Sequence, residues 1–349
     1  MRVVVVGATG NVGTSVLEAL AGDASVDEIV AVARRPLRRA YPRTTFVGAD
    51  VVTSELEPIF RGADAVVHLA WLIQPGRDES VTYGVNVIGS ERVFAATAHA
   101  GVPALVYASS LGAYSPGPKD HAVDESWPTE GIPSSFYSRH KVATERRLDR
   151  LEQDHPQLRV VRMRPALIFK REAATEIRRL FVGPLLPGRL LRRELIPIVP
   201  DHPRLRFQAV HSLDVADAYR RAILGDVRGA FNIAAEPVID PAQLARMFGA
   251  RRVRVPALAL RAGALASYAL RLQPSEPGWL DMGLGTPLLD TTRARSELGW
   301  QPTRSATEAL GELVAGLREG ADFDTPPLAR STTGPGRLRE LLTGIGARQ

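Results

Sequence analysis

Three glycines at three-residue spacing, set directly behind a run of four valines, limit this chain more than any other feature. The chain opens MRVVVVGATGNVGTSVLEAL. Val3 to Val6 form an unbroken β-branched run, the pattern of a strand buried on both faces of a parallel sheet. Gly7, Gly10 and Gly13 follow, and then Val16, Leu17 and Leu20 recur at helical spacing. A strand therefore turns through glycines into a helix. Gly7 permits the tight turn, Gly10 lets the backbone approach a pyrophosphate, and Gly13 lets the helix pack closely. The free N–H groups of the helix start then face the phosphates. The strand–turn–helix order, rather than the glycines alone, marks a dinucleotide-binding turn.

The next strand, EIVAVARRP, ends at Ala33 and is followed by Arg34 and Arg35. An acidic residue there would take the ribose 2′-OH of NAD, whereas arginine suits a 2′-phosphate. NADP is therefore the expected cofactor, ahead of NAD. Strand and helix continue to alternate: TTFVGADV is a third strand ending at Asp50, ADAVVHLAW a fourth, SERVFAATAHAGV a helix and PALVYASS a fifth strand. This order predicts an α/β fold, a doubly wound parallel sheet of the Rossmann kind with a smaller mixed substrate-binding lobe.

Composition removes several classes of chemistry. The chain of 349 residues has no Cys, which excludes disulfides, thiolate metal sites and cysteine nucleophiles. The seven histidines show no ligand spacing with carboxylates, so no metal is expected. Lys+Arg exceed Asp+Glu by 44 − 38 = 6. The excess is scattered arginine rather than one stripe, which favours anionic small ligands over nucleic acid. No apolar run is long enough to span a bilayer, and VVVV is too short for a signal sequence, so a cytoplasmic protein with no membrane partner is expected.

The segments GATGNVG, ADV, HLAW, VNVIGS, YASSLGAY, YSRHK, RPALIF, VHSLDVADAY and LDTTRARSELGWQP, in this order over about residues 1–315, resemble the extended short-chain dehydrogenase/reductase family. The resemblance implies a catalytic set of Ser110, Tyr137 and Lys141, with Asn86 as a further candidate. Tyr137 and Lys141 lie one turn apart on one helix face. Free tyrosine titrates near 10, and a neighbouring ammonium favours its phenolate. Ser110 is preferred to Ser109 because it stands four residues before Tyr114, the family's Ser-x-x-x-Tyr spacing. Tyr114 is expected to wall the nicotinamide pocket. The cofactor would lie along Gly7, Thr9, Gly10, Asn11, Val12 and Gly13, with Arg34 and Arg35 at the ribose. Asp50 and Val51 would touch adenine, Leu69, Ala70 and Trp71 the strand end beside the nicotinamide half, and Pro165 the carboxamide. Tyr137 and Lys141 would complete the set. His140 is expected to face solvent, and His211 and Asp214 to be structural.

The cofactor domain is expected to be discontinuous, covering residues 1–170, 207–236 and 287–318. Residues 171–206 and 237–286 would form the substrate lobe, and 319–349 a poorly ordered extension. The apolar stretch ALALRAGALASYALRL is expected to be core or the contact of a homodimer rather than a membrane-surface helix, since Arg261 and Arg271 interrupt it.

Four departures from the family pattern bear on substrate. Leu111 and Gly112 follow Ser110 where dehydratases carry Asp-Glu. Phe207, with Arg206 beside it, stands where sugar-nucleotide enzymes have a diphosphate-gripping Arg. Ala166 and Leu167 replace an Asn, and Trp71 and Leu72 replace small residues. Arg178, Arg179, Arg189, Arg192 and Arg193 point the other way, toward an anion. The expected function is an NADP-dependent oxidoreductase that interconverts a carbonyl and an alcohol on a small apolar, alicyclic or aromatic substrate. A nucleotide-sugar epimerase stands second, and a non-catalytic NADP-binding sensor or scaffold third.

Overall fold

The computed structural model describes residues 1–35, 39–74, 76–182, 197–325 and 328. Strand β1 (Arg2–Val6) turns into α1 (Asn11–Ala21), followed by β2 (Glu28–Ala33), β3 (Thr44–Gly48), α2 (Glu57–Phe60) and β4 (Ala65–His68). Helix α3 (Glu79–Tyr83) runs through a π-helical turn at Gly84–Ile88 into α4 (Gly89–His99) and β5 (Ala104–Ala108). Then come β6 (Ala122–Val123), α5 (Phe136–Asp154), β7 (Arg159–Pro165), β8 (Leu167–Phe169) and α6 (Ala174–Ile177). Next are β9 (Ile198–Asp201), β10 (Phe207–His211), α7 (Ser212–Leu224), β11 (Gly229–Ile233), β12 (Ala235–Ile239), α8 (Pro241–Phe248) and β13 (Arg251–Arg254). The chain goes on through α9 (Ala257–Ala269), α10 (Pro277–Gly285), β14 (Leu288–Leu289), α11 (Thr292–Glu297) and α12 (Ala306–Glu319).

Seven strands form the main sheet in the order β11-β7-β5-β4-β1-β2-β3, and every pairing is parallel. Continuous apolar strands serve both faces at once. Val3, Val5, Ile29, Ala31 and Val67 pack under α1 and α7, while Val4, Val6, Val30, Val66 and Leu105 pack with Phe60, Phe94 and Leu148 on the other side. The strand order reverses between β1 and β4, and a crevice opens at their C-terminal ends, where ligands bind in such sheets.

Gly7 stands at that point with φ +90, and a Cβ on it would lie 2.5 Å from the Ala70 nitrogen. A Cβ on Gly13 would lie 2.3 Å from the Gly7 oxygen. The glycine turn, the end of β4 and the start of α1 are thus packed backbone to backbone, and only glycine allows it.

Several expectations need correction. Strand β10 is the centre of a small sheet, β12-β10-β8. Strand β3 stops at Gly48, so Asp50 lies in the following turn. Helix α9 buries none of its residues and is not core. Past α12, Thr325 is buried and its hydroxyl donates to the Thr9 carbonyl at 2.9 Å, so the chain returns to the glycine turn. Residues 326–327 and 329–349 of the expected extension lie outside the described residues, as do Arg189, Arg192 and Arg193. Among the described residues no helix is long and apolar enough to cross a membrane.

Candidate active site

Three side chains meet at the C-terminal edge of the sheet. Ser110 follows β5, caps the short turn Leu111–Ala113 by accepting from the Gly112 N–H at 3.0 Å, and lies beside the Tyr137 phenol. Tyr137 lies in the first turn of α5, whose N-cap is Ser135. Lys141 follows one turn later, with its Nζ donating to the Ala108 carbonyl at 2.6 Å. The residues sit on one side of α5 because its stripe Tyr137, Lys141, Glu145 and Leu148 repeats at helical spacing and faces β5 and β7.

Burial governs the titration of this set. It pushes Tyr137 up to about 12, with the Ser110 hydrogen bond pulling the other way. It pushes the Lys141 ammonium well below its ordinary value, against the pull of Glu145. Ser109 is not a second member: its hydroxyl donates to Glu145 Oε1 at 2.5 Å.

Beneath the set is a buried ionic layer that the sequence reading missed. Arg162 and Arg164 alternate along β7 with Met163, so both face α5, where an apolar strand would place valines. Arg164 donates to both Glu145 oxygens, each at 2.9 Å, and Arg162 to Oε2 at 2.9 Å. Burial alone would raise the Glu145 pKa, but the two guanidinium groups and the Ser109 hydroxyl together hold it at about 2. The motif R-M-R inside a buried strand, with Glu145 four residues after Lys141, was the signal available.

Aromatic rings enclose the Tyr137 phenol. Trp71 meets it edge-on at 5.7 Å between centroids, and Trp279 of α10 lies at 5.0 Å. Phe181 packs on Trp279 at 4.9 Å. The Lys141 Nζ rests 3.3 Å from the Trp71 ring centroid. The indole N–H groups of Trp71 and Trp279 are both buried and have no partner. Trp71 was singled out from sequence; Trp279 and Phe181 were not, because no local spacing ties them to YSRHK.

Other expected residues take different places. Asn86 accepts from the Leu72 N–H at 2.7 Å and donates to the Leu72 carbonyl at 2.8 Å. Both ends of its amide are occupied, so it clamps the loop that carries Trp71 rather than facing a reactant. Tyr114 does not wall a pocket. It is fully buried, donates to Asn232 at 2.7 Å and accepts from Arg164 at 3.1 Å. His140 is not solvent-facing: it is 1% exposed, meets the Tyr83 and Phe136 rings edge to face, and lies 3.2 Å from Glu79. His211 caps α7 by accepting from Leu213, and Asp214 accepts from Thr303 and Arg304.

Helix α1 starts at Asn11 with no side-chain cap, and the Asn11 Oδ1 is buried without a partner. Gly10 has only the Gly7 oxygen near its Cβ position, at 3.6 Å. Uncapped N–H groups over an open glycine fit a pyrophosphate. Thr9 and Val12 flank this turn, and Leu69 follows β4 with its N–H on the Val6 carbonyl at 2.8 Å. Pro165 ends β7 beside Ile233, Val51 packs on Gly89, and Asp50 accepts from the Val52 N–H at 2.9 Å. Arg34 and Arg35 are exposed at the end of β2.

Phe207, which stands where the family resemblance implies a diphosphate-gripping Arg, opens β10. Arg204 donates to the carbonyls of Leu284, Gly117 and Gly285, and Arg206 to that of Lys119 at 3.4 Å.

The profile of the NAD dependent epimerase/dehydratase family matches residues 3–234. An uncharacterized protein of Mycobacterium tuberculosis is 27% identical over 327 residues, which cover 90% of this chain and 83% of the relative. A UDP-glucose 4-epimerase of Mycolicibacterium smegmatis is 28% identical over 339 residues, covering 91% of this chain and 99% of that one. The crystal structure of UDP-glucuronic acid 4-epimerase from Bacillus cereus, in complex with UDP-glucuronic acid and NAD, shares the fold. Its TM-score is 0.67 at 16% identity, over 91% of this chain and 99% of that one.

Proposed function

The chain belongs to the NAD dependent epimerase/dehydratase family, and from that premise we propose that it is a hydride-transfer enzyme that inverts a carbinol centre of a nucleotide sugar through a transient ketone. One observation carries the reading: the Tyr137 phenol lies beside Ser110 and is followed one helix turn later by Lys141, whose Nζ reaches the Ala108 carbonyl at the end of β5. The epimerase relative adds weight over nearly its whole length. This replaces the reductase expectation as the leading reading.

The nicotinamide, when bound, takes and returns the carbinol hydrogen. Ser110 holds the substrate oxygen, and Tyr137 removes its proton and gives it back. A phenol raised to about 12 by burial is a poor base near neutrality until a positive charge lies beside it. Lys141, one turn away, would bring such a charge when protonated, and it is also the group to hold the nicotinamide ribose. The Trp71 indole covers the Lys141 ammonium, 3.3 Å from it at the ring centroid. The peptide N–H groups at the start of α1 hold the pyrophosphate.

A carbonyl/alcohol oxidoreductase for a small apolar substrate remains the second reading. Phe207 at the diphosphate position and the walls of Trp71, Trp279 and Phe181 favour it. Product analysis separates the two. Interconversion of UDP-glucose and UDP-galactose without net cofactor turnover supports the first. Steady NADH or NADPH consumption with aromatic or alicyclic ketones, and no epimer formed, supports the second.

We take NAD as the cofactor, as in the epimerase complex from B. cereus, against the NADP expectation drawn from Arg34 and Arg35. Calorimetry should find NAD bound at least as tightly as NADP. The double variant Arg34→Ala, Arg35→Ala should leave NAD affinity within about threefold. A preference for NADP of about tenfold, or 1.4 kcal/mol, would return the choice to NADP.

A further inference from the structure

Helix α9 is apolar and yet buries none of its 13 residues. Leu260, Ala264 and Tyr268 are half covered on the side where it leans on α10. The other side is open: Leu258 is 81% exposed and Leu265 50%, and just past the helix Leu270 is 70% and Leu272 54% exposed. Helical spacing puts Leu258, Ala262, Leu265 and Ala269 in one line, a leucine–alanine ridge facing outward. An exposed apolar patch of this length marks a contact surface.

Its charge is one-sided. Between Asp240 and Glu276 the chain carries six arginines and no acidic residue. Arg251, Arg252 and Arg254 are exposed on β13, directly before α9, while Arg261 edges the ridge and Arg271 follows its end. Local carboxylates offset two of them, Asp201 at 3.6 Å from Arg252 and Asp281 at 3.0 Å from Arg261.

We propose that α9 and β13 form a docking surface for a membrane rich in anionic phospholipid. The exposed leucines enter the boundary between headgroups and acyl chains, and the arginines meet lipid phosphates around them. Arginine stems reach past an apolar ridge while their heads stay in the polar layer. A second copy of the chain is the poorer occupant. A two-fold contact through this face would bring together two surfaces with the same excess of arginine, with no acidic residue of this stretch to answer it. The docked face would also lie one helix from the reaction site, since α10 places Trp279 against Tyr137 and its Met282 sulfur near Gly112. None of this depends on the substrate assignment.

Co-sedimentation of the full chain with vesicles tests it. Vesicles of phosphatidylcholine with about one third phosphatidylglycerol should bind at least about tenfold more protein than phosphatidylcholine alone, and salt should reverse the gain. The double variant Leu258→Glu, Leu265→Glu and the triple variant Arg251→Glu, Arg252→Glu, Arg254→Glu should each cut binding about tenfold. Circular dichroism and NAD calorimetry should match the parent, because every substituted side chain is exposed. No vesicle-dependent sedimentation would overturn the proposal, as would vesicle binding that neither variant weakens. A dimer in analytical ultracentrifugation that the leucine variant dissociates would assign the face to self-association instead.

Discussion

Tyr137→Phe should lower turnover by about 10²-fold or more, on the scale of positioned acid–base catalysis. The change removes the phenol hydroxyl beside Ser110 and keeps the ring that fills the slot between Trp71 and Trp279. Packing therefore stays nearly constant, and NAD affinity by calorimetry should move by less than about threefold. Lys141→Met should differ. It removes the charge beside the phenol and the group that would hold the ribose, so turnover and cofactor affinity should both fall. A Tyr137→Phe protein with unchanged turnover would remove the phenol from the mechanism, whatever the substrate.

Glu145→Gln should be the most destabilising single change near the site. Glu145 is nearly fully buried and answers two arginines that are themselves buried. Removing one member of a buried pair leaves uncompensated charge and costs about 3–5 kcal/mol. Chemical denaturation at neutral pH should show that loss. The same carboxylate gives the protein an acid-labile component. Its folded pKa of about 2 lies below the ordinary value of 4.5, so the unfolded chain takes up the proton first. Its contribution is present above about pH 4.5 and disappears as pH falls toward 2. The Gln variant should lack this component, and its stability should fall less steeply across that window. Equal acid profiles for the two proteins would remove Glu145 from the acid response.

What could be read in the sequence was what repeats locally. VVVV followed by Gly7, Gly10 and Gly13 gave β1, its turn and α1, because periodicity and glycine spacing act over a few residues. YSRHK gave the helical pair Tyr137 and Lys141 for the same reason. Contacts made across the fold were not legible. Trp279 lies 142 residues from Tyr137 in sequence (279 − 137) and reaches it only because α10 folds over α5. The strand RVVRMRP does not say what Arg162 and Arg164 face; Glu145 answers them only across the fold. Asn86 and Tyr114 were assigned through motif position, and motif position says nothing about which hydrogen bonds a side chain has already made. The exposure of α9 was hidden because an apolar helix reads alike whether it is covered or bare.

The most direct test of the central claim is rapid mixing of the NAD-loaded protein with UDP-galactose while the fluorescence of NADH is followed. A signal that rises within one turnover and falls again as UDP-glucose forms, and that is absent in Tyr137→Phe, is the predicted result. Lasting NADH in proportion to sugar consumed, or no signal and no epimer from a protein shown to hold NAD, would contradict it.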